Sequence, residues 1–131
     1  MKKRLVVCLG YLLTLSACSL TAPESSDNQI RTMSQAEQKL SEITQDKSCD
    51  ASYQCRVLAI GEKACGGASE YLIFSSKNTS TEHAEHLASE ITSFEQIYNK
   101  QNQALATCQH LLPPQTLCIN SSCQEYKLIK P

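Results

Sequence analysis

The chain has 131 residues, with 12 basic and 13 acidic side chains and a net charge of about −1. That length suits one modest domain and not two, and a nearly balanced charge whose one Lys/Arg run lies at residues 2–4 argues against a nucleic-acid partner held by phosphate contacts. Two phenylalanines and no tryptophan leave a thin apolar core, so the 8 cysteines stand out.

At the amino end, Lys2, Lys3 and Arg4 precede an apolar run from Leu5 to Ala17 broken by Gly10, Thr14 and Ser16. A spanning helix needs roughly 20 apolar residues, and this run is too short. Its basic start, apolar middle and small-residue exit read as a secretory signal over 1–17. Leu15, Ser16, Ala17 and Cys18 form a tetrapeptide that resembles the lipobox of bacterial lipoproteins. The resemblance implies that Cys18 accepts diacylglycerol and becomes the first mature residue. It also implies several acyl chains, where one alone anchors only marginally. Ser19, in place of Asp, implies sorting to the outer membrane, with the domain on its periplasmic or surface face. Without residues 1–17 the basic residues fall to nine against 13 acidic ones, so no electrostatic attraction to anionic lipid is expected.

Residues 18–30 are polar and aperiodic, and read as a flexible tether from the lipidated cysteine, with a reach on the order of 20 Å. A single domain follows over 31–131. Ser34 and Glu37 make a capping box, and Ala36, Leu40 and Ile43 behind it fall at helical spacing. This predicts a short helix, ending near Asp46, whose narrow stripe must dock elsewhere. "QCRVLAIG" at 54–61 and "EYLIFSS" at 70–76 are rich in branched residues and read as strands. Both are apolar on two faces, as in strands covered on both sides. The loop between them is too long for a tight hairpin.

Thr79 and Glu82 make a second capping box. Ala84, Leu87, Ala88, Ile91, Phe94, Ile97, Tyr98 and Leu105 then trace one helical face, predicting a helix from about 80 to 105, close to 40 Å long. Pro113 and Pro114 forbid helix, and "CQEYKLIK" at 123–130 reads as a last strand. The expected fold is therefore α+β, in the order α-β-β-α-β: a small disulfide-stapled domain of two layers, with a three-stranded, antiparallel-rich sheet under one long helix. The right-handed crossover rule places the third strand beside the first.

Apart from Cys8 in the signal and Cys18 at the anchor, the cysteines are Cys49, Cys55, Cys65, Cys108, Cys118 and Cys123. An even number in an exported chain predicts three disulfides, with fifteen pairings open. Among these, Cys65–Cys108 is favoured because the long helix returns toward the loop holding Cys65. Cys55–Cys123 and Cys49–Cys118 follow from it. No pair has the CxxC spacing of structural zinc ligands or redox dithiols, so neither metal nor cofactor is expected. His83 and His86, one turn apart with Glu82 and Glu90 near, read as a solvated helix face, and His110 as a lone loop residue.

In "ACGGASEY", 64–71, adjacent glycines permit positive φ and a cysteine can pin the turn. The bland reading is a stapled turn. The sharper one is a rigid recognition loop, costing little ordering entropy on binding, in which Gly66 and Gly67 set the shape and Lys63, Ser69 and Glu70 make the contacts. The succession Cys49, Gln54, Cys55, Gly61, Cys65, Gly66, Gly67, Tyr71, Ser75, Tyr98, Asn99, Cys108 and Cys123 resembles a family of small, exported proteobacterial proteins. Ala68 stands where that family usually has proline. The resemblance implies fold and export, and no activity. "GGASEY" also resembles a loop of the bacterial lysozyme-inhibitor lipoproteins, although those are all-β barrels. There is no GxSxG nucleophile context, and with every mature cysteine oxidised no thiol nucleophile remains. The expectation is a non-enzymatic envelope lipoprotein that binds an envelope or secreted protein. The alternative is an inhibitor of a secreted hydrolase, a lysozyme or a protease.

Overall fold

The structure is a computed structural model that describes residues 26–103 and 109–127. The expected signal 1–17, Cys18, most of the expected tether, Leu105 and Cys108 lie outside the described residues. In chain order it forms α1 (Ser26–Ile43), a 3-10 turn (Ser52–Gln54), β1 (Cys55–Ile60), β2 (Glu70–Ser75), α2 (Thr81–Asn102), β3 (Thr116–Ile119) and β4 (Ser122–Glu125). The class is α+β, as expected. No helix among the described residues is long and apolar enough to cross a membrane.

β1 and β2 pair antiparallel, with Cys55 opposite Ser75 and Ile60 opposite Glu70. Side chains alternate across a strand, so this two-stranded ribbon has two different faces. Leu58, Ile60 and Phe74 look toward the helices and join Ala36 and Leu40 of α1 with Ala84, Leu87, Ala88 and Ile91 of α2 in the main core. The opposite face carries Cys55 and Ile73, which pack with Cys49, Cys118 and Cys123. Both strands are apolar on two sides because helices cover one face and disulfides the other.

The expected three-stranded sheet does not form. The carboxyl-terminal strand is shorter than predicted and pairs with β3, an element the sequence reading missed, in a second two-stranded sheet. Asn120 and Ser121 between them have φ of 50° and 59°, as a two-residue type I′ hairpin turn requires. Local pairing closes a far smaller loop than a return to β1 across α2. The segment before the 3-10 turn adds a third line to this sheet. Ser48 bridges Ser122, Cys49 N–H donates to Ser121 O at 3.0 Å, and Cys123 N–H donates to Lys47 O at 2.8 Å. The molecule is thus helix pair, ribbon and stapled hairpin in three layers, where two were expected.

The helices also differ from expectation in their ends. α1 begins at Ser26, inside the expected tether, and not at the Ser34 box. Its stripe docks as predicted: Leu40 and Ala36 are buried and Ile43 half-buried. α2 is capped by Ser80, which accepts from His83 N–H, and not by Thr79. The Thr79 hydroxyl instead donates to Ile43 O at 2.6 Å, fastening the start of α2 to the end of α1. α2 closes at Gln103, in the left-handed region at φ 45°. Of its predicted apolar face, Ala84, Leu87, Ala88 and Ile91 are buried. Phe94 is half-buried and Ile97 and Tyr98 are exposed.

Candidate functional site: the CGG loop and the stapled hairpin

The loop joining β1 to β2 is a compact turn. Gly66 N–H donates to Lys63 O at 2.8 Å, Lys63 N–H to Gly67 O at 2.9 Å, and Ser69 N–H to Ile60 O at 3.0 Å. Gly66 and Gly67 sit at φ 88° and 83°, where a side chain is strained. A loop this tight leaves backbone N–H groups that need acceptors, and α2 supplies them. Gly61 N–H donates to Thr92 Oγ1 at 3.1 Å, and Glu62 N–H to Glu95 Oε2 at 2.7 Å. The Ser69 hydroxyl donates to the same Glu95 oxygen. Asn99 Nδ2 reaches Glu62 O at 2.6 Å, and the Gln96 amide donates to the Glu62 carboxylate.

Thr92, Glu95, Gln96 and Asn99 lie on one stripe of α2 by their spacing. Glu95 presses so closely that a Cβ on Gly61 would stand 2.5 Å from its Oε2. In the sequence, the one sign of this bracket is that polar stripe beside the apolar one.

The predicted contact residues fare unequally. Ser69 is committed to Glu95, and Lys63 Nζ donates to Gln109 O at 2.8 Å. Both are half-buried, whereas Glu70 is exposed at the start of β2. Of the three, Ser69 and Lys63 are engaged within the chain, and Glu70 is the one left exposed. His110 packs here too, with Nδ1 3.4 Å from where a Cβ on Gly67 would stand. Between the loop and the end of α2 lies a polar cleft of about 440 Å³, lined by Glu62, Lys63, Gln96, Asn99, Lys100 and Gln103.

Cys65, expected to pin this loop, carries an exposed free thiol. With that thiol free, the expected Cys65–Cys108 bridge is not formed; Cys108 itself lies outside the described residues. The other two expected bridges are present. Cys49 joins Cys118 and Cys55 joins Cys123, with Cα separations of 6.0 and 5.3 Å. Cys118 and Cys123 face each other across the hairpin, so the two bridges run side by side from the hairpin to the body. The sulfurs of Cys49, Cys55 and Cys123 lie within 4.8 Å of one another, the one such group of three or more ligand atoms among the described residues. His83 and His86 are exposed on α2, with His86 Nδ1 3.9 Å from Glu90.

Alternation along the hairpin turns its cysteines inward and Leu117 and Ile119 outward, and Tyr126 follows directly after β4. Leu117 and Tyr126 are 37% and 41% exposed. Ser52 Oγ accepts from Cys118 N–H at 3.1 Å, which sets the 3-10 turn, with Tyr53 76% exposed, beside β3. Near the junction of the two halves, Asp46 is held down to about 2 by hydrogen bonds from the Ser48 hydroxyl, the Asn78 amide and the Ser48 backbone. Asp50 is lowered by a hydrogen bond from Lys77, whose ammonium lies 2.8 Å away.

Compared with known families, curated proteins and solved structures, the chain finds no match in any of the three.

Proposed function

We propose that this chain is a non-enzymatic lipoprotein of the bacterial cell envelope, anchored in the outer membrane through Cys18, that binds an envelope or secreted protein. The observation that carries the reading is the sequence from Lys2 to Cys18, with basic start, short apolar run and Leu15-Ser16-Ala17-Cys18 in succession. Two disulfides support it, because such bridges persist in oxidising compartments outside the cytosol. The binding face is the outer side of the stapled hairpin with Tyr53. Exposed tyrosine on a rigid element is what binding surfaces favour. The CGG loop is the weaker surface, since Ser69 serves α2 and Lys63 bonds Gln109, and that weighs against the hydrolase-inhibitor alternative.

Two measurements test this. Cys18→Ser should abolish acyl labelling and leave an unprocessed precursor, whereas Cys8→Ser should change neither. An unmodified mature amino terminus in the wild type overturns the anchor. A photo-cross-linker at Tyr53 or Leu117 should then capture a partner in envelope preparations, and one at Glu85, exposed on α2, should not. Capture only from the loop position Glu70 moves the binding face to the loop, and a hydrolase captured there favours inhibition.

A further inference from the structure

We propose that Cys49, Cys55, Cys118 and Cys123 form, once both bridges are reduced, a four-sulfur site for one soft divalent cation, zinc foremost. The sulfurs of Cys49, Cys55 and Cys123 already lie within 4.8 Å of one another, and that of Cys118 is bonded to Cys49. A tetrahedral zinc–thiolate site has Zn–S bonds of about 2.3 Å, which sets its sulfurs about 3.8 Å apart. Opening the bonded pairs and drawing the cluster around an ion needs shifts of one or two ångströms, within the range of cysteine rotamers.

The scaffold does not depend on the covalent bonds alone. Cys49 and Cys123 donate backbone hydrogen bonds to Ser121 and Lys47, and Cys118 pairs with Cys123 across the hairpin. With the bridges open these contacts are too few to hold the hairpin alone, and they set its register once an ion draws the four sulfurs together. Cys118 and Cys123 are also separated by four residues, inside the spacing that zinc ligands use. Cys49, Cys55 and Cys123 are buried, so water competes poorly for the ion. A search for CxxC passes over such a site because the fold, more than local spacing, assembles it.

The chemistry balances. Each disulfide takes two electrons and two protons from a dithiol, which is itself oxidised to a disulfide, and yields two thiols. The ion then displaces four protons from four thiols. The consequence is a second means of holding the hairpin to the ribbon wherever a dithiol reductant opens both bridges.

The test uses the mature chain, 18–131, reduced with a phosphine that does not bind zinc, then given zinc and gel-filtered. One zinc per chain should be retained, and retention should weaken as pH falls because protons compete for the thiolates. Cobalt should give the sulfur-to-metal charge-transfer bands and intense visible bands of a tetrahedral thiolate site. Cys55→Ser/Cys123→Ser, which can still fold around Cys49–Cys118, should lose at least tenfold in affinity after reduction. Cys65→Ser should bind as the wild type does. Amide exchange should show residues 116–125 protected with zinc and unprotected with a chelator. Zinc retention no greater than in the oxidised chain overturns the proposal. So does equal binding by the double-serine variant, or binding without protection of the hairpin, which is the mark of an unfolded chain.

Discussion

The two faces of the β1–β2 ribbon are held by different physics. Toward the helices, Phe74 and Ile91 are almost wholly buried among aliphatic side chains, and apolar burial at about 25 cal/mol per Å² supplies the attachment. Toward the hairpin there is little apolar area to bury, and two disulfides replace it. Four-residue strands cannot cover enough surface to hold themselves. The helix side resists through many weak contacts; the hairpin side depends on two bonds that chemistry can open.

Removing both bridges with a chelator present should therefore have the largest effect. The first bridge closes a loop of 68 residues, worth about 4 kcal/mol in the loop-entropy model. With it in place, the second closes only a small loop of about a dozen residues, worth about 3 kcal/mol more. Cys49→Ser/Cys118→Ser or Cys55→Ser/Cys123→Ser alone should each cost about 3 kcal/mol, and all four changes about 7, more than the two pairs summed. Amide exchange should show protection lost first at 47–49 and 116–125 while β1 and α2 stay protected. Loss spread evenly over both halves would erase the distinction. Phe74→Ala should do the reverse, costing about 3–5 kcal/mol and exposing the helix side first.

How much of this was legible in the sequence divides along the same line. β1, β2 and the apolar stripes of both helices show as branched runs and helical spacing, because burial writes itself into periodicity. The pairings Cys49–Cys118 and Cys55–Cys123 were expected from a Cys65–Cys108 bridge and a third strand beside β1; they form without either, because the hairpin itself sets Cys118 opposite Cys123. The hairpin did not show: β3 is short, and its outward Leu117 and Ile119 look like core residues when read alone. Asn120-Ser121 was its one local signal. The adjacent glycines signal positive φ, and both adopt it. Glu95 was invisible because a carboxylate on a helix is ordinarily solvated, and only the fold lays a loop's N–H groups against it.

That bracket makes the next effect in size. Glu95→Ala leaves the Glu62 N–H and the Ser69 hydroxyl without their acceptor, a loss of about 1–3 kcal/mol. The damage should stay in residues 61–69, read as faster amide exchange there with the hairpin unchanged. Glu95→Gln keeps an acceptor oxygen and should recover most of the loss. A Glu95→Ala chain with an unaltered loop would make the bracket incidental.

The smallest effect lies where the halves meet. Asp46 follows α1, precedes the segment that pairs with β4, and accepts from Ser48 N–H and from Asn78 Nδ2, each at 2.8 Å. Those bonds favour the carboxylate and lower it from an ordinary 3.8 to about 2. A carboxylate lowered in the folded state stabilises fully above its unfolded value, and that contribution disappears as pH falls through the folded one. The window is therefore about pH 4 down to about pH 2. A carbon-detected NMR titration should place the Asp46 midpoint near 2, and Asn78→Ala should move it upward by removing one donor. The melting temperature of Asp46→Ala should lie below that of wild type at pH 5, and the gap should close by about pH 2. Because the group is exposed, salt and solvent keep the gap small. A midpoint at the ordinary value, or a gap that widens on acidification, would remove Asp46 as a clasp between the helix-packed and the disulfide-held halves.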